Sequence, residues 1–399
     1  MNTSLRWAAG IAAASLILAA CGDAPDDEAS ETEMASETEM ASETEMASET
    51  EMASETEMAS ETEAAGTPAT TDGKSCMITD TGGVDDRSFN QTSWEGLQQA
   101  EEEFGFEANL LESTAEPDFE PNMNTFLDDD CDLIVTVGFA LGETTRAAAE
   151  NNPEQLFAIV DNDFADFDAD GNFVGDVEFD NARELTFATD QAAFLAGYLA
   201  AGMTQTGTVG TYGGAPFPTV TIFMDGFLAG VRHYNAENGA DVELLGWDGE
   251  NGQFTGNFES QDDGRNLTDQ MLAEGADIIM PVAGPVGLGT AAALQESAAD
   301  DWLIWVDSDG YESAPDYADL MLTSVQKKMD VAVLDTVEQV ATDSFEGGLY
   351  TGTLENDGVG IAPFHDYEDA VPDELKTALD ELREGIMAGD ISTASADYA

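Results

Sequence analysis

The sequence predicts an α/β fold with two lobes, each a doubly wound parallel sheet, joined by a hinge and separated by a cleft. From residue 76 onward, short apolar runs alternate with longer stretches whose apolar residues recur at helical spacing. This alternation is typical of parallel sheets covered by helices on both faces. The region holds about 325 residues, which is too many for one simple core and suits two lobes.

The individual elements follow from these runs. The strand candidates are residues 76–80, 106–111, 132–138, 156–161, 173–177, 207–212, 242–247, 277–282, 302–307 and 320–325. The helix candidates are residues 93–104, 121–129, 143–151, 183–203, 220–238, 263–274, 287–299 and 327–344. The helix predicted at 183–203 is apolar on nearly every side, which suits burial at a lobe junction.

The lobe boundaries follow from that junction. We expect lobe 1 to span residues 74–185 with a return segment at about 306–335, and lobe 2 to span residues 186–305 with a C-terminal segment at about 336–399. Several crossings between two lobes predict a hinge that closes around a ligand.

The N-terminus predicts a lipoprotein signal peptide over residues 1–20. Arg6 precedes an apolar run that ends at Leu18-Ala19-Ala20-Cys21. These features are typical of a signal peptide, and the ending resembles a bacterial lipobox, with cleavage before Cys21 and lipidation of its thiol. An ordinary signal peptide with an incidental cysteine is the alternative. No later run approaches the ~18 apolar residues of a transmembrane helix, so we expect an anchored chain on the outer membrane face.

Residues 21–73 predict a disordered acidic tether. Residues 31–63 are five copies of Glu-Thr-Glu-Met-Ala-Ser followed by Glu-Thr-Glu. The repeat has no aromatic or branched aliphatic residue to bury, and its glutamates repel one another. It therefore cannot offset its chain entropy by packing.

The chain is strongly acidic, with a net charge of −72. Residues 74–399 alone carry 66 acids against 10 bases, which gives −56. Such a surface excludes nucleic acid as a partner, because phosphate binding needs clustered Lys and Arg. We interpret the acidity as an adaptation to high salt, where screening shortens the repulsion.

Two cysteines remain beyond Cys21. Cys76 and Cys131 each open an apolar run. If those runs are neighbouring parallel strands, the two sulfurs lie at the same end and can form a disulfide. Two free buried thiols are the alternative.

Three strand candidates end in a carboxylate. These residues are Asp80, Asp161 and Asp307. Ligands bind beyond the carboxyl ends of the strands in open α/β sheets, so the three acids are expected to face one cleft. Each acid taken alone also fits a helix cap or a turn. Carboxylates accept hydrogen bonds from vicinal diols, so sugar or ribose hydroxyls are natural partners.

Aromatic and amide residues in loops suggest a flat ligand. Phe89 lies in a polar loop, where it can stack on a ring or pack beneath the loop. Asn90 beside it offers a donor and an acceptor to a base edge. Phe258 is preferred over Phe254 as the opposing aromatic residue from the second lobe.

Two further residues complete the candidate site. Gly284 follows the strand predicted at 277–282, and a glycine lets backbone approach a ligand. Lys327 stands out because bases are rare, and it can neutralise a carboxylate and donate to a hydroxyl; with Lys328, it also fits a solvated surface pair. A dinucleotide-binding loop at this glycine-rich run lacks the required spacing.

Enzyme signals are weak. The two histidines, His233 and His365, lack the partners and spacing of a metal site, and no nucleophile elbow or phosphate loop occurs. We therefore expect no catalytic residue, no metal and no cofactor. Asp80 and Asp307 flanking a glycosidic bond would make a nucleoside hydrolase the enzyme alternative.

Five ordered motifs between Ser75 and about Ala362 resemble the basic membrane protein family, the lipoprotein receptors of ABC importers that include purine-nucleoside receptors. The motifs are Asp80 with Asp85-Asp86-Arg87-Ser88-Phe89-Asn90-Gln91, Gln191-Ala-Ala-Phe-Leu-Ala-Gly-Tyr-Leu-Ala, Gly275-Ala-Asp-Ile-Ile-Met-Pro-Val-Ala-Gly, Val306-Asp307 and Thr323-Ser324-Val325-Gln326-Lys327.

The resemblance implies a role for each candidate residue. It implies a base held between Phe89 and Phe258, with Asn90 and Asp161 at its edge. It also implies that four residues hold the ribose: Asp80, Gly284, Asp307 and Lys327. The chain departs from the family pattern after Phe258, where Glu-Ser replaces the usual Phe-x-Asp arrangement.

The sequence therefore predicts an extracytoplasmic, lipid-anchored solute-binding protein with a periplasmic-binding-protein type I-like fold. We expect it to capture a nucleoside of the purine class and to deliver it to an ABC permease as a monomer. The lipid anchor is its expected membrane contact. A binding protein for a sugar or other polyol, a sensor and a nucleoside hydrolase on the same fold are the alternatives.

Overall fold

Two six-stranded sheets form the framework of the protein. The computed structural model describes residues 73–167, 173–297 and 301–398, all within a unit that spans Ala65–Ala399. The predicted signal peptide, Cys21 and nearly all of the predicted tether lie outside the described residues.

The strands alternate with helices along the chain, as predicted. The strands are β1 (Lys74–Thr79), β2 (Glu107–Leu111), β3 (Leu133–Val137), β4 (Leu156–Val160), β5 (Ala165–Phe167), β6 (Phe173–Asp176), β7 (Ala182–Phe187), β8 (Thr208–Gly213), β9 (Glu243–Leu245), β10 (Ile278–Val282), β11 (Trp302–Asp307), β12 (Met321–Lys327), β13 (Gly348–Gly352) and β14 (Val359–Ile361). The helices are α1 (Phe89–Phe104), α2 (Phe119–Asp128), α3 (Gly142–Asn151), α4 (Thr189–Met203), α5 (Pro218–Asn238), α6 (Gln261–Glu274), α7 (Gly287–Glu296), α8 (Gly310–Ser313), α9 (Met329–Ala341) and α10 (Asp373–Met387).

The first sheet has the strand order β13-β7-β4-β3-β1-β2 and is parallel throughout. The second has the order β14-β12-β11-β10-β8-β9, with β14 antiparallel to β12 and the other pairs parallel. β5 and β6 form a small antiparallel hairpin. The central strands are buried along nearly their whole length, as expected when helices cover both faces of a sheet. The predicted α/β fold class is confirmed.

The helix predicted at 183–203 is wrong at its N-terminal end. Residues Ala182–Phe187 form β7, which pairs with β4 and β13, and the helix begins at Thr189. Leu185 and Phe187 alternate with the more exposed Thr186, which is a strand pattern. Phe187 and Ala188 are apolar and stand directly before the helix, so the sequence shows no clear boundary between the strand and the helix.

The predicted returns between the lobes also differ from the structure. β12 pairs with β11 in the second sheet, so residues 321–327 do not return to the first sheet. The return comes with α9, which packs on α1, and with β13, which pairs with β7 inside the segment assigned to lobe 2. Strand pairing is decided by long-range contacts, and the sequence of a short apolar run does not indicate which sheet the strand will join.

A disulfide joins Cys76 and Cys131, the pairing that the sequence allowed. β1 and β3 are neighbouring parallel strands, and Cys131 lies two residues before β3. The two Cα atoms are 6.1 Å apart, and both residues are buried.

Within the three described ranges, no helix combines the length and the apolar character that crossing a membrane requires.

Candidate functional site

A cavity lies where the carboxyl ends of strands from both sheets meet. Its empty volume is about 580 Å³, part of which is open to solvent. All eight predicted ligand-binding residues line it: Asp80, Phe89, Asn90, Asp161, Phe258, Gly284, Asp307 and Lys327. The structure thus brings together residues that are up to 247 positions apart in the chain.

Asp80 and Asn90 form one polar group of the cavity. Asn90 Nδ2 donates to Asp80 Oδ1 at 2.9 Å and lies 3.2 Å from Asp86 Oδ2. Two carboxylates therefore orient the amide nitrogen, and Asn90 Oδ1 is buried without a hydrogen-bond partner. Burial raises the pKa of Asp80, although bonds from Asn90 and the Gly82 N–H oppose that rise. The group presents acceptor oxygens to the cavity.

Asp86 is a cavity residue that the sequence analysis did not select. Its carboxylate accepts from the backbone N–H groups of Ser88, Asn90 and Gln91 at 3.0, 2.7 and 3.0 Å. It therefore satisfies free N–H groups at the start of α1. Burial raises its pKa to about 7, even though these hydrogen bonds favour the ionised form.

Lys327 joins the two sheets through an ion-pair network. Its Nζ lies 2.6 Å from Asp161 Oδ2 and 3.3 Å from Asp307 Oδ1, and all three side chains are buried. Burial alone would lower the pKa of Lys327, but attraction to Asp161 and Asp307 outweighs it, so the net shift is upward and the ammonium stays charged. Asp161 and Asp307 have φ values of 64° and 70°, which turn the chain sharply at each strand end.

The polar contacts link residues to which the resemblance gave different roles. The resemblance put Asn90 and Asp161 at the base edge and Asp80 and Lys327 at the ribose. In the structure, Asn90 bonds to Asp80, while Asp161 bonds to Lys327. The two groups are therefore adjacent networks, and each contains residues of both predicted roles: Asn90 with Asp80, and Asp161 with Lys327 and Asp307.

Aromatic rings surround these polar networks. The Lys327 ammonium lies 4.6 Å from the centroid of the Phe89 ring and 5.3 Å from that of Phe223, within cation–π distance. Phe258, in the loop between β9 and α6, stacks on Phe217 with centroids 6.1 Å apart and planes inclined by 19°. Phe217 also contacts Phe139, with ring centroids 5.4 Å apart. Phe254 does not line the cavity; its ring contacts that of Trp247.

Three of these rings were missed by sequence reasoning. Phe139 follows β3, Phe217 precedes α5 just after β8, and Phe223 lies one turn into α5. The rule used for the acids, that strand ends face the cleft, would also have selected Phe139 and Phe217. The position of Phe223 in the cavity could be predicted only with knowledge of which face of α5 is turned toward it.

Gly284 begins a 3₁₀ turn after β10 with a φ of 53°. A Cβ atom at this position would meet no other atom within 4 Å. The glycine is thus required by the backbone conformation and leaves open space in the cavity.

The arrangement is suited to binding rather than to chemistry. The cavity holds carboxylate and amide oxygens, one buried ammonium and several rings, a combination that fits a flat polar molecule with hydroxyl groups. Among the described residues, no group of three or more His, Cys, Asp or Glu side chains is placed to hold a metal ion.

Comparisons with known proteins relate this cavity to a family. Residues 74–396 match the family described as "ABC transporter substrate-binding protein PnrA-like". The "ABC transporter nucleoside-binding protein BmpA" of Lactococcus lactis is 32% identical over 346 residues, which cover 82% of this chain and 90% of that protein. The "CD4+ T-cell-stimulating antigen" of Listeria monocytogenes is 32% identical over 332 residues, covering 79% and 86%. A solved structure of a solute-binding protein of an ABC transporter system from Aeropyrum pernix K1 has a TM-score of 0.70 and 25% identity, and covers 80% of this chain and 92% of that one.

Proposed function

Because the chain belongs to the PnrA-like family of ABC transporter substrate-binding proteins, we propose that the ligand it delivers is a nucleoside, and specifically a purine nucleoside. The family consists of extracytoplasmic binding proteins rather than enzymes, and its members present a small molecule to a membrane permease. The choice of ligand is our proposal. It draws support from the relative named as a nucleoside-binding protein and from the residues of the cavity.

The observation that carries the proposal is the buried Asn90 Oδ1, which lacks a partner beside the Phe89 ring. An unpaired buried acceptor costs free energy that a ligand N–H group can recover. A purine offers such a donor on its edge and a face that stacks on an aromatic ring. We propose that Phe89 and Phe258 hold the base, with Asn90 and Asp161 at its edge.

The sugar side of the proposal rests on the carboxylates. Asp80 and Asp307 lie in the same cavity as Lys327 and Gly284. Carboxylate oxygens accept from the vicinal ribose hydroxyls, while an ammonium donates to them. We propose that these four residues hold the ribose. Contacts with both sheets would then favour the closed arrangement of the protein, since the ligand stabilises the state that it contacts most.

We further propose that Cys21 carries the lipid anchor after removal of residues 1–20, and that residues 21–73 separate the binding protein from the membrane. The acidic repeat of residues 31–63 suits that role because its sequence contains no aromatic or branched aliphatic residue and its glutamates repel one another. In this proposal the protein acts as a monomer with two lobes, whose sheets meet at the cavity. Mass spectrometry of the membrane fraction, compared with Cys21→Ser, tests the anchor: an unmodified cysteine in the wild-type protein would refute it.

Calorimetry with guanosine, inosine, adenosine and ribose tests the choice of ligand. We expect the nucleosides to bind and ribose to bind at least tenfold more weakly, because ribose lacks both the stacking of the base, about 1–3 kcal/mol, and the hydrogen bonds at its edge. Tight ribose binding without nucleoside binding would favour a sugar or polyol ligand. Release of free base on incubation would favour a hydrolase.

Two substitutions test the division of the cavity. Phe89→Ala should weaken nucleoside binding at least tenfold, a loss of about 1.4 kcal/mol or more, which lies within the ~1–3 kcal/mol that one stacking surface contributes. Asp307→Ala should weaken nucleosides, while binding of the free base stays weak in both proteins. Phe254→Ala is the matched control, since Phe254 lies near this region without lining the cavity. Equal losses for Phe89→Ala and Phe254→Ala would contradict the proposed base site.

A further inference from the structure

The loop between β1 and α1 is bonded to the loop after β11, and these bonds connect the two sheets beside the cavity. The carbonyl oxygen of Arg87 accepts from Trp305 Nε1 at 3.2 Å and from Ser308 Oγ at 2.9 Å. Arg87 Nη1 donates to the carbonyl oxygen of Ser313 at 3.0 Å. Arg87 therefore makes three hydrogen bonds to the side of the cavity that carries the second sheet.

The backbone of Arg87 is held in an unfavourable conformation. Its φ is 57°, in the left-handed region that residues with a side chain rarely adopt. Such a conformation persists when surrounding contacts hold it in place, and it occurs often at ligand-binding sites. The three bonds to the second sheet are contacts of this kind.

Ser88 continues the connection into the cavity. Its Oγ lies 2.7 Å from Asp307 Oδ2 and 3.1 Å from the carbonyl oxygen of Val306. The other carboxylate oxygen of Asp307 faces Lys327 at 3.3 Å. Ser88 is fully buried but does not line the cavity, so its hydroxyl acts on Asp307 rather than on a ligand.

We propose that Ser88 and Arg87 are positioning residues, which fasten the loop after β1 to the end of β11 and so orient the Asp307 carboxylate toward the ligand when the two sheets close. Ser88 lies in the loop after β1 of the first sheet, and Asp307 lies at the end of β11 in the second sheet. Asp307 therefore receives the Ser88 hydrogen bond only in the closed arrangement, whereas its pair with Lys327 lies within the second sheet. Closure is also favoured by bonds in which no ligand atom takes part.

The connection between the two sheets is independent of the ligand, whereas its effect on nucleoside binding rests on the proposed function. The distance between the two sheets in the protein without added nucleoside tests the connection. The rate at which guanosine or inosine dissociates tests the effect on binding. If neither nucleoside binds the wild-type protein, the proposed function fails, while the distance measurement still tests the connection.

Fluorescence energy transfer measures the first readout. Dyes are attached at Glu102→Cys on α1 and Glu274→Cys on α6, both exposed and on different sheets, in the full chain carrying Cys21→Ser. Cys76 and Cys131 are joined to each other and do not compete for dye. Ser88→Ala, Ser308→Ala and Arg87→Ala each remove one part of the connection. We expect each to shift the nucleoside-free protein toward longer dye separations.

The second readout is nucleoside binding by the same variants. We expect Ser88→Ala to weaken binding about tenfold, since it removes a hydrogen bond to a charged group. Ser308→Ala and Arg87→Ala should weaken it about two- to fivefold, since each removes a part-buried bond to a backbone carbonyl oxygen that does not contact Asp307. In all three, most of the change should be faster dissociation, because the altered contact forms on closure.

Ser93→Ala is the matched control. Ser93 is also buried on α1, but its hydroxyl bonds to the Phe89 carbonyl within the same helix. It should leave both the dye separation and the dissociation rate within about twofold of the wild type. The proposal is overturned if Ser88→Ala and Ser308→Ala match Ser93→Ala in both readouts. It is also overturned if the loss of nucleoside affinity in these two variants is proportional to the decrease in their melting temperatures and to nothing else.

Discussion

At the scale of single residues, Asp86 links the cavity to the helix that carries its aromatic and amide groups. The carboxylate accepts three backbone N–H bonds at the start of α1, and Asn90 Nδ2 lies 3.2 Å away. It therefore helps to determine which atom of Asn90 remains for a ligand. Its side chain is almost completely buried, so its protonation should affect the stability of the fold.

We expect the contribution of Asp86 to stability to depend on pH. Burial raises its pKa from 3.8 to about 7, so the folded state binds this proton more tightly than the unfolded state. The free energy of unfolding should therefore fall as pH rises from about 4 to about 7 and then level off. The melting temperature of the wild type minus that of Asp86→Asn should be larger at pH 5 than at pH 8.

Asp118→Asn provides the control for that measurement. Bonds from the Thr114 side chain and backbone lower the pKa of the exposed Asp118, so its titration falls below this pH range. The difference between wild type and Asp118→Asn should be the same at pH 5 and pH 8. Burial also raises the pKa of Asp80, but Asp80 is present in every protein compared. A constant difference for Asp86→Asn across the range would contradict the prediction.

The same residue shows how far the site was predictable. Asp80, Asp161 and Asp307 were found because each ends a recognisable apolar run, and the structure brings them to one cavity. Asp86 does not follow an apolar run. In the sequence it is one acid of a polar loop, and its burial results from the loop folding over α1. Its role depended on contacts that local sequence does not encode.

At the scale of elements, α4 and α5 form a close helix pair beneath the second sheet, and glycines permit that approach. A Cβ atom on Gly197 would lie 2.1 Å from the carbonyl oxygen of Phe227, and one on Gly230 would lie 2.0 Å from that of Phe194. Backbone cannot yield as a flexible side chain can. The two helices must therefore separate if either glycine gains a side chain.

Gly197→Ala should lower the stability of the protein. Alanine favours a helix by about 1 kcal/mol over glycine, but overpacking of a core costs about 1–3 kcal/mol. We expect a net decrease of several degrees in melting temperature. Gly202→Ala, on the same helix, would meet only the ends of the Leu375 side chain at 2.8 and 2.9 Å and the Tyr234 ring at 3.3 Å, and should change the melting temperature little. Similar melting temperatures for the two variants would show that the close approach of α4 and α5 at Gly197 does not exclude a side chain there.

At the scale of the whole molecule, charge dominates the behaviour of the protein in solution. Residues 74–399 carry a net charge of −56, and self-repulsion of this size opposes compaction. Few of these charges are neutralised by contacts, since only 10 basic residues are present in that range. The buried pairs of Lys327 with Asp161 and Asp307 are an exception, and salt screens such pairs much less than exposed charges.

The melting temperature should therefore rise between roughly 0.1 M and 2 M sodium chloride, because the screening length falls from about 10 Å to less than 3 Å. Potassium chloride should act alike, whereas sucrose at matched osmolality should give a smaller rise. The dissociation constant for the nucleoside should change little over the same range of salt, since the charged groups of the cavity are buried and are therefore weakly screened. A flat or falling melting temperature would contradict adaptation to high salt.

The sequence by itself determined the fold class and the strand ends that carry the cavity acids, and it allowed a disulfide between Cys76 and Cys131, which the structure then showed. Each of these depends on a local pattern: apolar periodicity, an acid at a strand end, or two cysteines opening apolar runs. Only the tertiary structure decided that β12 remains in the second sheet, that β7 precedes α4, and that Ser88 bonds to Asp307. These features arise from contacts between distant segments, whose free energies depend on the relative placement of the two sheets rather than on neighbouring residues.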